Sequence, residues 1–273
     1  MLFDLHCHTN ASDGMLSAPE LVQRAIEHDV DVLSITDHDC TTAYAQLKDS
    51  DLGNLKLVAG IELSAQWRNA GIHVLGLNIR VDAPAMIEAV TLQQNARRKR
   101  AGIIAERLEK KGFTNVISEV EKLSDDISIG RPHIANILVT AGHVKTVDAA
   151  FRKYLGTGKI GDVKNEWATL EQIIEWIRGA GGTAVIAHPS KYKMTRTRLQ
   201  NLVGDFKDLG GQGLEVVSGR QDNSDSKKLA ELCAQFELLS SCGSDFHKPG
   251  QPWAELGKHK ALPESCVPVW EHW

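Results

Sequence analysis

Seven short apolar runs, at residues 3–6, 30–36, 56–61, 72–77, 183–187, 213–217 and 237–241, alternate along the chain with amphipathic helical patterns. The runs are mostly continuous in apolar character, as strands covered on both faces of a parallel sheet must be. Ser17-Ala18-Pro19-Glu20 is a capping box with proline in the first turn. Leu21, Val22, Ala25 and Ile26 follow it as a single stripe, so a helix joins the first two strands. Thr169-Leu170-Glu171-Gln172 opens a second such helix, with Leu170, Ile173, Ile174 and Ile177 on one face and the glycine stretch 179–182 ending it.

The alternation stops between residues 83 and 166, where only helical patterns are read: 84–111, a shorter one after Val116, 131–141 and 147–154. Alternating strands and helices with seven or eight strands predict a closed (β/α) barrel rather than an open sheet. The expected fold is therefore α/β, with residues 1–82 and 166–273 forming the barrel and 83–165 a helical insertion that serves as a substrate cap. A length of 273 residues suits one large core, and 42% hydrophobic with 24% charged residues excludes disorder, collagen-like repeats and coiled coil.

Thirty-one Lys and Arg against 35 Asp and Glu leave a net charge of −4. No general positive field draws such a chain onto nucleic acid or an anionic membrane, so any anion it binds needs a local site. There is no apolar run of membrane-spanning length, and an acid and a histidine stand where a leader would be basic and then apolar, so a cytoplasmic protein is expected. Five cysteines, at 7, 40, 233, 242 and 266, make an odd count without CxxC spacing and are expected to be free, buried thiols.

The chemistry lies in histidine and carboxylate. His6 and His8 flank Cys7 at the end of the first run, and strand alternation turns both imidazoles to one face. Asp13 follows in the loop, His38 ends the second run within Thr36-Asp37-His38-Asp39, and Glu62 ends the third within Gly60-Ile61-Glu62. His73 begins the fourth run, His188 ends the fifth in Ala187-His188-Pro189, and Asp245 and His247 end the last in Gly243-Ser244-Asp245-Phe246-His247. Eight of these nine stand on the C-terminal side of a run, the rim where (β/α) barrels build active sites. Six histidines and three carboxylates without a cysteine suit Mn²⁺, Fe²⁺ or Zn²⁺, and nine donors exceed one ion's needs. Two or three ions would activate a water and clamp the oxygens of a phosphoryl displacement, which makes hydrolysis the expected reaction. No GxGxxG, GxSxG or complete P-loop offers a competing chemistry.

Taken in order, HCH, SDG, TDHD, GIE, a histidine strand, AHP and GSDFH resemble the PHP (polymerase and histidinol phosphatase) superfamily over essentially the whole chain. The resemblance implies a distorted (β/α)7 TIM-like barrel with three divalent metals per chain, Mn²⁺ first, with Zn²⁺ or Fe²⁺ as alternatives. It implies that His6, His8, Glu62 and Asp245 hold the first metal, that Glu62 bridges to a second held with His73 and His188, and that Asp13, His38 and His247 hold the third. Gly130-Arg131-Pro132-His133, Glu166-Trp167-Ala168 and Ala187-His188-Pro189 resemble the branch that removes the 3′-phosphate of nucleoside 3′,5′-bisphosphates and trims short 5′-phosphorylated RNA from its 5′ end. The same nine residues would then be catalytic, the partners small nucleotides or short RNA, with no membrane and no obligate protein partner.

A substrate with a second phosphate needs a clamp away from the metals. Arg131 with His133 suits it, since the guanidinium fork matches phosphate oxygens. Arg97-Arg98-Lys99-Arg100 reads as a solvated helix face from which Arg97 or Arg100 turns to the cleft; Lys164 and Lys191 are lesser candidates. Asp37 and Asp39 flank His38 and either orient imidazoles or, for Asp39, cap a turn. A histidinol-phosphate phosphatase, a mainly ribonucleolytic enzyme and a metal-binding module without chemistry are the competing readings.

Overall fold

A computed structural model describes residues 1–164 and 166–273. Its strands are β1 (Phe3–Cys7), β2 (Val32–Ile35), β3 (Lys56–Leu57), β4 (Gly60–Trp67), β5 (Ala70–Leu77), β6 (Ala168–Thr169), β7 (Thr183–Ile186), β8 (Gly213–Ser218) and β9 (Leu239–Gly243). They form a parallel sheet in the order β1-β2-β3 and a mixed sheet in the order β6-β4-β5-β7-β8-β9. Among the described residues only β5 runs against its neighbours, so parallel pairing dominates.

Single bridges between Cys7 and Phe246 and between His38 and Glu62, both parallel, connect the two sheets. At the first junction a Cβ on Gly243 would lie 2.4 Å from that of His6, so only glycine lets β9 come this close to β1.

The expected run 56–61 divides into β3 and the start of β4, and the segment carrying Glu62 continues as strand to Trp67 instead of ending there. Trp67 pairs directly with Ala70 across the two-residue turn Arg68-Asn69, with Arg68 at φ 50°, so the chain turns straight back without a crossover helix. This reversal corrects the expectation of uniform strand–helix alternation. It also explains why His73, alone at the start of its run, joins the other candidate ligands: in a reversed strand the early residues lie where the parallel strands end.

Helices α1 (Ala18–Glu27), α2 (Thr42–Gln46), α3 (Pro84–Glu109), α4 (Val116–Glu121), α5 (Arg131–Thr140), α6 (Val147–Ala150), α7 (Leu170–Gly179), α8 (Arg196–Asp208) and α9 (Asn223–Phe236) complete the order. The capping box at α1 forms, at α7 only the Thr169 hydroxyl caps by accepting the Gln172 N–H, and both helices bury their expected apolar stripes, Ile26 only in part. The segment read as one helix over 147–154 is α6 followed by a π-helical turn, Phe151–Leu155. Residues between Ala101 and Val163 form their own apolar cluster, including Ile104, Leu108, Val116, Ile134 and Leu138, whereas Met86 and Ala89 at the start of α3 pack into the main core. A separate cluster of Leu5, Val32, Val58, Leu75, Leu77, Val185, Ala187 and Val269 joins residues of β1, β2, β5 and β7. No helix among the described residues is long and apolar enough to cross a membrane. All five cysteines are free, and all but Cys266 are buried.

Candidate metal centre and its cavity

Glu62 is the hub. Its fully buried carboxylate has His73 Nδ1 and His188 Nε2 each 2.9 Å from Oε1, and His38 Nδ1 at 2.8 Å, His8 Nε2 at 3.4 Å and His6 Nε2 at 3.5 Å from Oε2. Asp245 Oδ1 lies 3.4 Å from His6 Nε2 and 3.3 Å from His8 Nε2. Asp13 Oδ1 lies 3.4 Å from His247 Nε2 and 3.8 Å from His38 Nε2. All nine residues expected at the site therefore converge, drawn from the ends of β1, β2, β7 and β9, from the early parts of β4 and β5, and from the loop after β1.

The loop and turn geometry is held by residues outside this set. Buried Asp37 accepts from the Thr9 backbone N–H at 2.7 Å, from the Thr9 hydroxyl at 2.6 Å and from Ser12, so it organises the loop that presents Asp13 rather than an imidazole. Asp39 accepts from the Ser64 N–H and Arg97 Nε, both at 2.7 Å, and ties β4 to α3. His188 at φ 29° and Asp245 at φ 55° occupy the left-handed region that side chains avoid, a cost borne at functional positions when neighbours fix the backbone.

The electrostatics resemble those of a site built for cations. Burial works against the Glu62 charge, but His38, His73 and His6 hold its carboxyl well below the usual range. Asp13 and Asp245 are likewise depressed, against burial, by surrounding histidines, joined at Asp245 by Lys191. Burial, followed by the neighbouring His247, pushes His8 down to about 3. Buried atoms without a hydrogen-bond partner include His6 Nε2, both His8 ring nitrogens, Asp13 Oδ1, His38 Nδ1, Glu62 Oε2 and His188 Nδ1. Buried polar atoms are seldom left unpaired, and here those other than His188 Nδ1 face one another. Four overlapping sets, His8-Asp13-His38-His247, His6-Glu62-His188, His6-His8-Asp245 and His38-Glu62-His73, each place one ligand atom per residue within 4.8 Å of the rest. Imidazole and carboxylate at this spacing fit divalent metals.

Two contributors escape the sequence reading, and a third gains weight. Glu215, fully buried on β8, accepts from His6 Nδ1 at 3.0 Å and from the His188 backbone N–H. Gln93 of α3 donates to Asp39 at 2.9 Å and to the Ser64 carbonyl. Lys191, a lesser candidate from the sequence, forms an ion pair with Asp245; burial opposes its charge, and Asp245 restores it.

The cluster opens into a cavity of about 800 Å³. Its walls carry seven cationic side chains, Arg97, Arg100, Arg131, Lys164, Lys191, Lys193 and Arg198, against two carboxylates, Asp13 and Asp162. In a chain of net charge −4 this is a local anion site. The basic cluster on α3 is not a solvated face throughout: Arg97 and Arg100 are buried in the stripe Met86, Ala89, Gln93, Arg97, Arg100, Ile104, Leu108. Arg97 is engaged by Asp39, the Ile129 carbonyl and Ser64. Arg100 and Arg131 each donate to one backbone carbonyl, of Val163 and Leu155, at 3.1 Å, and both line the cavity. Burial and the nearby Arg131 and Arg97 bring Arg100 down to about 10. His133 is placed differently: its Nδ1 accepts the Gly130 N–H at 3.0 Å and caps α5, and it is not among the cavity-lining residues.

The PHP domain family matches residues 4–185. Among relatives, a 5′-3′ exoribonuclease of Haemophilus influenzae is 42% identical over 271 residues, covering 98% of each chain. A 3′,5′-nucleoside bisphosphate phosphatase of Chromobacterium violaceum is 38% identical over 269 residues, covering 98% of this chain and 94% of the relative. The solved structure of an amidohydrolase from Chromobacterium violaceum, with bound sulfate and no metal, superposes with a TM-score of 0.90 at 37% identity, covering 100% of this chain and 95% of the other. With the ligand cluster, the anion cavity and these matches in agreement, the chain belongs to the PHP domain family of metal-dependent phosphoesterases.

Proposed function

We propose that this phosphoesterase removes the 3′-phosphate of nucleoside 3′,5′-bisphosphates, such as adenosine 3′,5′-bisphosphate, and trims short 5′-phosphorylated RNA from the 5′ end. The single observation carrying this reading is the cation-walled cavity opening directly onto the His/Asp/Glu cluster, which provides for one phosphate at the metals and another several ångströms away. Relatives named for both activities support it.

In this reading His6, His8, Glu62 and Asp245 hold one divalent metal, Glu62, His73 and His188 a second, and Asp13, His38 and His247 a third, with Mn²⁺ the first choice and Zn²⁺ or Fe²⁺ next. Bound metals supply Lewis-acid polarisation of the phosphate and activation of water. The protein supplies position and charge. Glu215 fixes His6 from its Nδ1 side. Arg131 and Arg100 grip the distal 5′-phosphate, which lets the next phosphoester reach the cluster whether or not a nucleotide follows. His133 sets the start of α5 and so the Arg131 backbone, acting through position rather than contact.

The proposed architecture is a distorted seven-stranded ring, β1-β2-β4-β5-β7-β8-β9, supported by the two bridges between the sheets and the apolar cluster shared by β1, β2, β5 and β7. Residues 83–165 form the cap and 1–82 with 166–273 the barrel. A cytoplasmic setting accords with five free cysteines.

The test is phosphate release by Mn²⁺-loaded protein from adenosine 3′,5′-bisphosphate, beside 5′-phosphorylated di- to pentanucleotide RNA and histidinol phosphate. Turnover of the first two with little of the third is expected. Faster hydrolysis of histidinol phosphate than of the bisphosphate overturns the nucleotide assignment.

A further inference from the structure

A second cavity, of about 280 Å³, adjoins the first and has no part in the scheme above. Lys191 lines both. The smaller cavity is made by the ends of β8 and β9 and the loop after β8, with Ser218, Ser244 and Trp253 on its walls; Ser244 directly precedes Asp245. The loop is pinned in place. Gly219, at φ 54°, would carry a Cβ only 2.5 Å from the Trp253 carbonyl oxygen, and the Arg220 N–H donates to that same oxygen at 2.8 Å.

Two features lack a partner within the protein. Trp253 is 58% exposed, whereas Trp67 and Trp176 are buried. Ser218 Oγ, in a residue only 6% exposed, has no hydrogen-bond partner. The charges on the walls, Lys191 and Arg220 against Asp222 and Asp225, cancel, unlike those of the main cavity. A neutral pocket with polar walls and an exposed aromatic side chain suits a nucleoside, whose base stacks, better than a bare phosphate.

We propose that this pocket is a subsite for the nucleotide on the far side of the scissile phosphate of an RNA substrate, its base stacked on Trp253. The inference rests on the nucleotide reading above. The 5′ nucleotide fills the large cavity, the scissile phosphate lies at the metal cluster, and the chain continues past Lys191 into the second pocket. A nucleoside bisphosphate, which ends at the scissile phosphate, leaves the pocket empty. Substrate length is therefore sensed by residues that a bisphosphate never touches.

The experiment compares wild type, Trp253→Ala, Trp253→Phe and Ser218→Ala on adenosine 3′,5′-bisphosphate and on a 5′-phosphorylated pentanucleotide, with the pentanucleotide Kd also measured in EDTA, where cleavage is suppressed. Trp253→Ala is expected to lower kcat/KM on the pentanucleotide at least about fivefold and weaken its Kd to match, with the bisphosphate unchanged. Trp253→Phe is expected to restore most of the loss, and Ser218→Ala, whose hydroxyl is sealed from the pocket, to leave both substrates unchanged. Equal losses on both substrates with Trp253→Ala, or none on either, overturn the subsite. If wild type cleaves neither substrate, the functional reading fails, and the Kd comparison still decides the subsite.

Discussion

His6 Nδ1 donates to Glu215 at 3.0 Å while its Nε2 faces Asp245 at 3.4 Å and Glu62 at 3.5 Å. The carboxylate thereby fixes which ring nitrogen carries the proton and turns the other toward the cluster. Partners of this kind, behind a metal-binding imidazole, are typically worth 10–100-fold in affinity or activity. Glu215→Gln is therefore expected to lower metal affinity by about that factor, read by competition with a chromogenic chelator. Unchanged affinity would reduce Glu215 to a packing residue.

Arg97 faces the cavity, yet its guanidinium is spent on Asp39 at 2.7 Å, Ser64 and the Ile129 carbonyl. Removing one member of a buried ion pair strands the other, at roughly 3–5 kcal/mol. Arg97→Ala is expected to lose stability of that order in urea unfolding. A variant as stable as wild type but with raised KM would make Arg97 part of the substrate clamp instead.

Arg131 and Arg100 each make one hydrogen bond to a carbonyl and keep donors for a ligand. Losing a charged hydrogen bond is worth about 1.5–3 kcal/mol. Arg131→Ala should thus raise KM for adenosine 3′,5′-bisphosphate by roughly tenfold or more with kcat little changed, the signature of uniform binding. Adenosine 3′-phosphate, which lacks the distal group, should be almost indifferent to the substitution. A loss shared by both substrates would contradict the clamp.

The metal-free protein is expected to have a stability optimum near neutral pH. Burial and His247 hold His8 at about 3, below its ordinary 6.5, so its contribution is complete above 6.5 and is lost as pH falls toward 3. For His247 burial opposes protonation, but Asp13 and Asp245 together outweigh it and hold the ring at about 9, so its contribution is complete below 6.5 and is lost as pH rises through 9. Urea midpoints of chelated protein at pH 5, 7 and 9.5 should peak at 7, and His247→Gln should flatten the alkaline side. A midpoint that climbs steadily to pH 9.5 would contradict this charge arrangement.

The nine candidate ligands were legible because side-chain direction at a strand end follows from alternation; most lie at or just beyond such an end, while Glu62 and His73 stand in the early parts of β4 and β5. The reversal of β5 was not: Arg68-Asn69 lacks the Asn-Gly or Asp-Gly signature of a tight hairpin, and His73 consequently stood as the exception. Glu215 was hidden within the run Gly213-Leu214-Glu215-Val216-Val217, although a lone carboxylate in a strand buried on both faces is itself a signal that something must pair with it. Arg97 and Arg100 were also within reach, since the spacing 86, 89, 93, 97, 100, 104 continues one helical stripe through three polar residues. The partners of Asp37 and Asp39 come from β4, α3 and the loop after β1, contacts that no local pattern encodes.

The central claim is that the His/Asp/Glu cluster is a metal site whose occupancy is required for phosphoester hydrolysis. It is tested most directly by stripping the protein with chelator, removing the chelator, and titrating Mn²⁺ back while following phosphate release from adenosine 3′,5′-bisphosphate and bound metal per chain. Activity should be absent in the stripped protein, return with bound metal and saturate near three ions per chain. Full activity in protein verified to be metal-free would contradict the account.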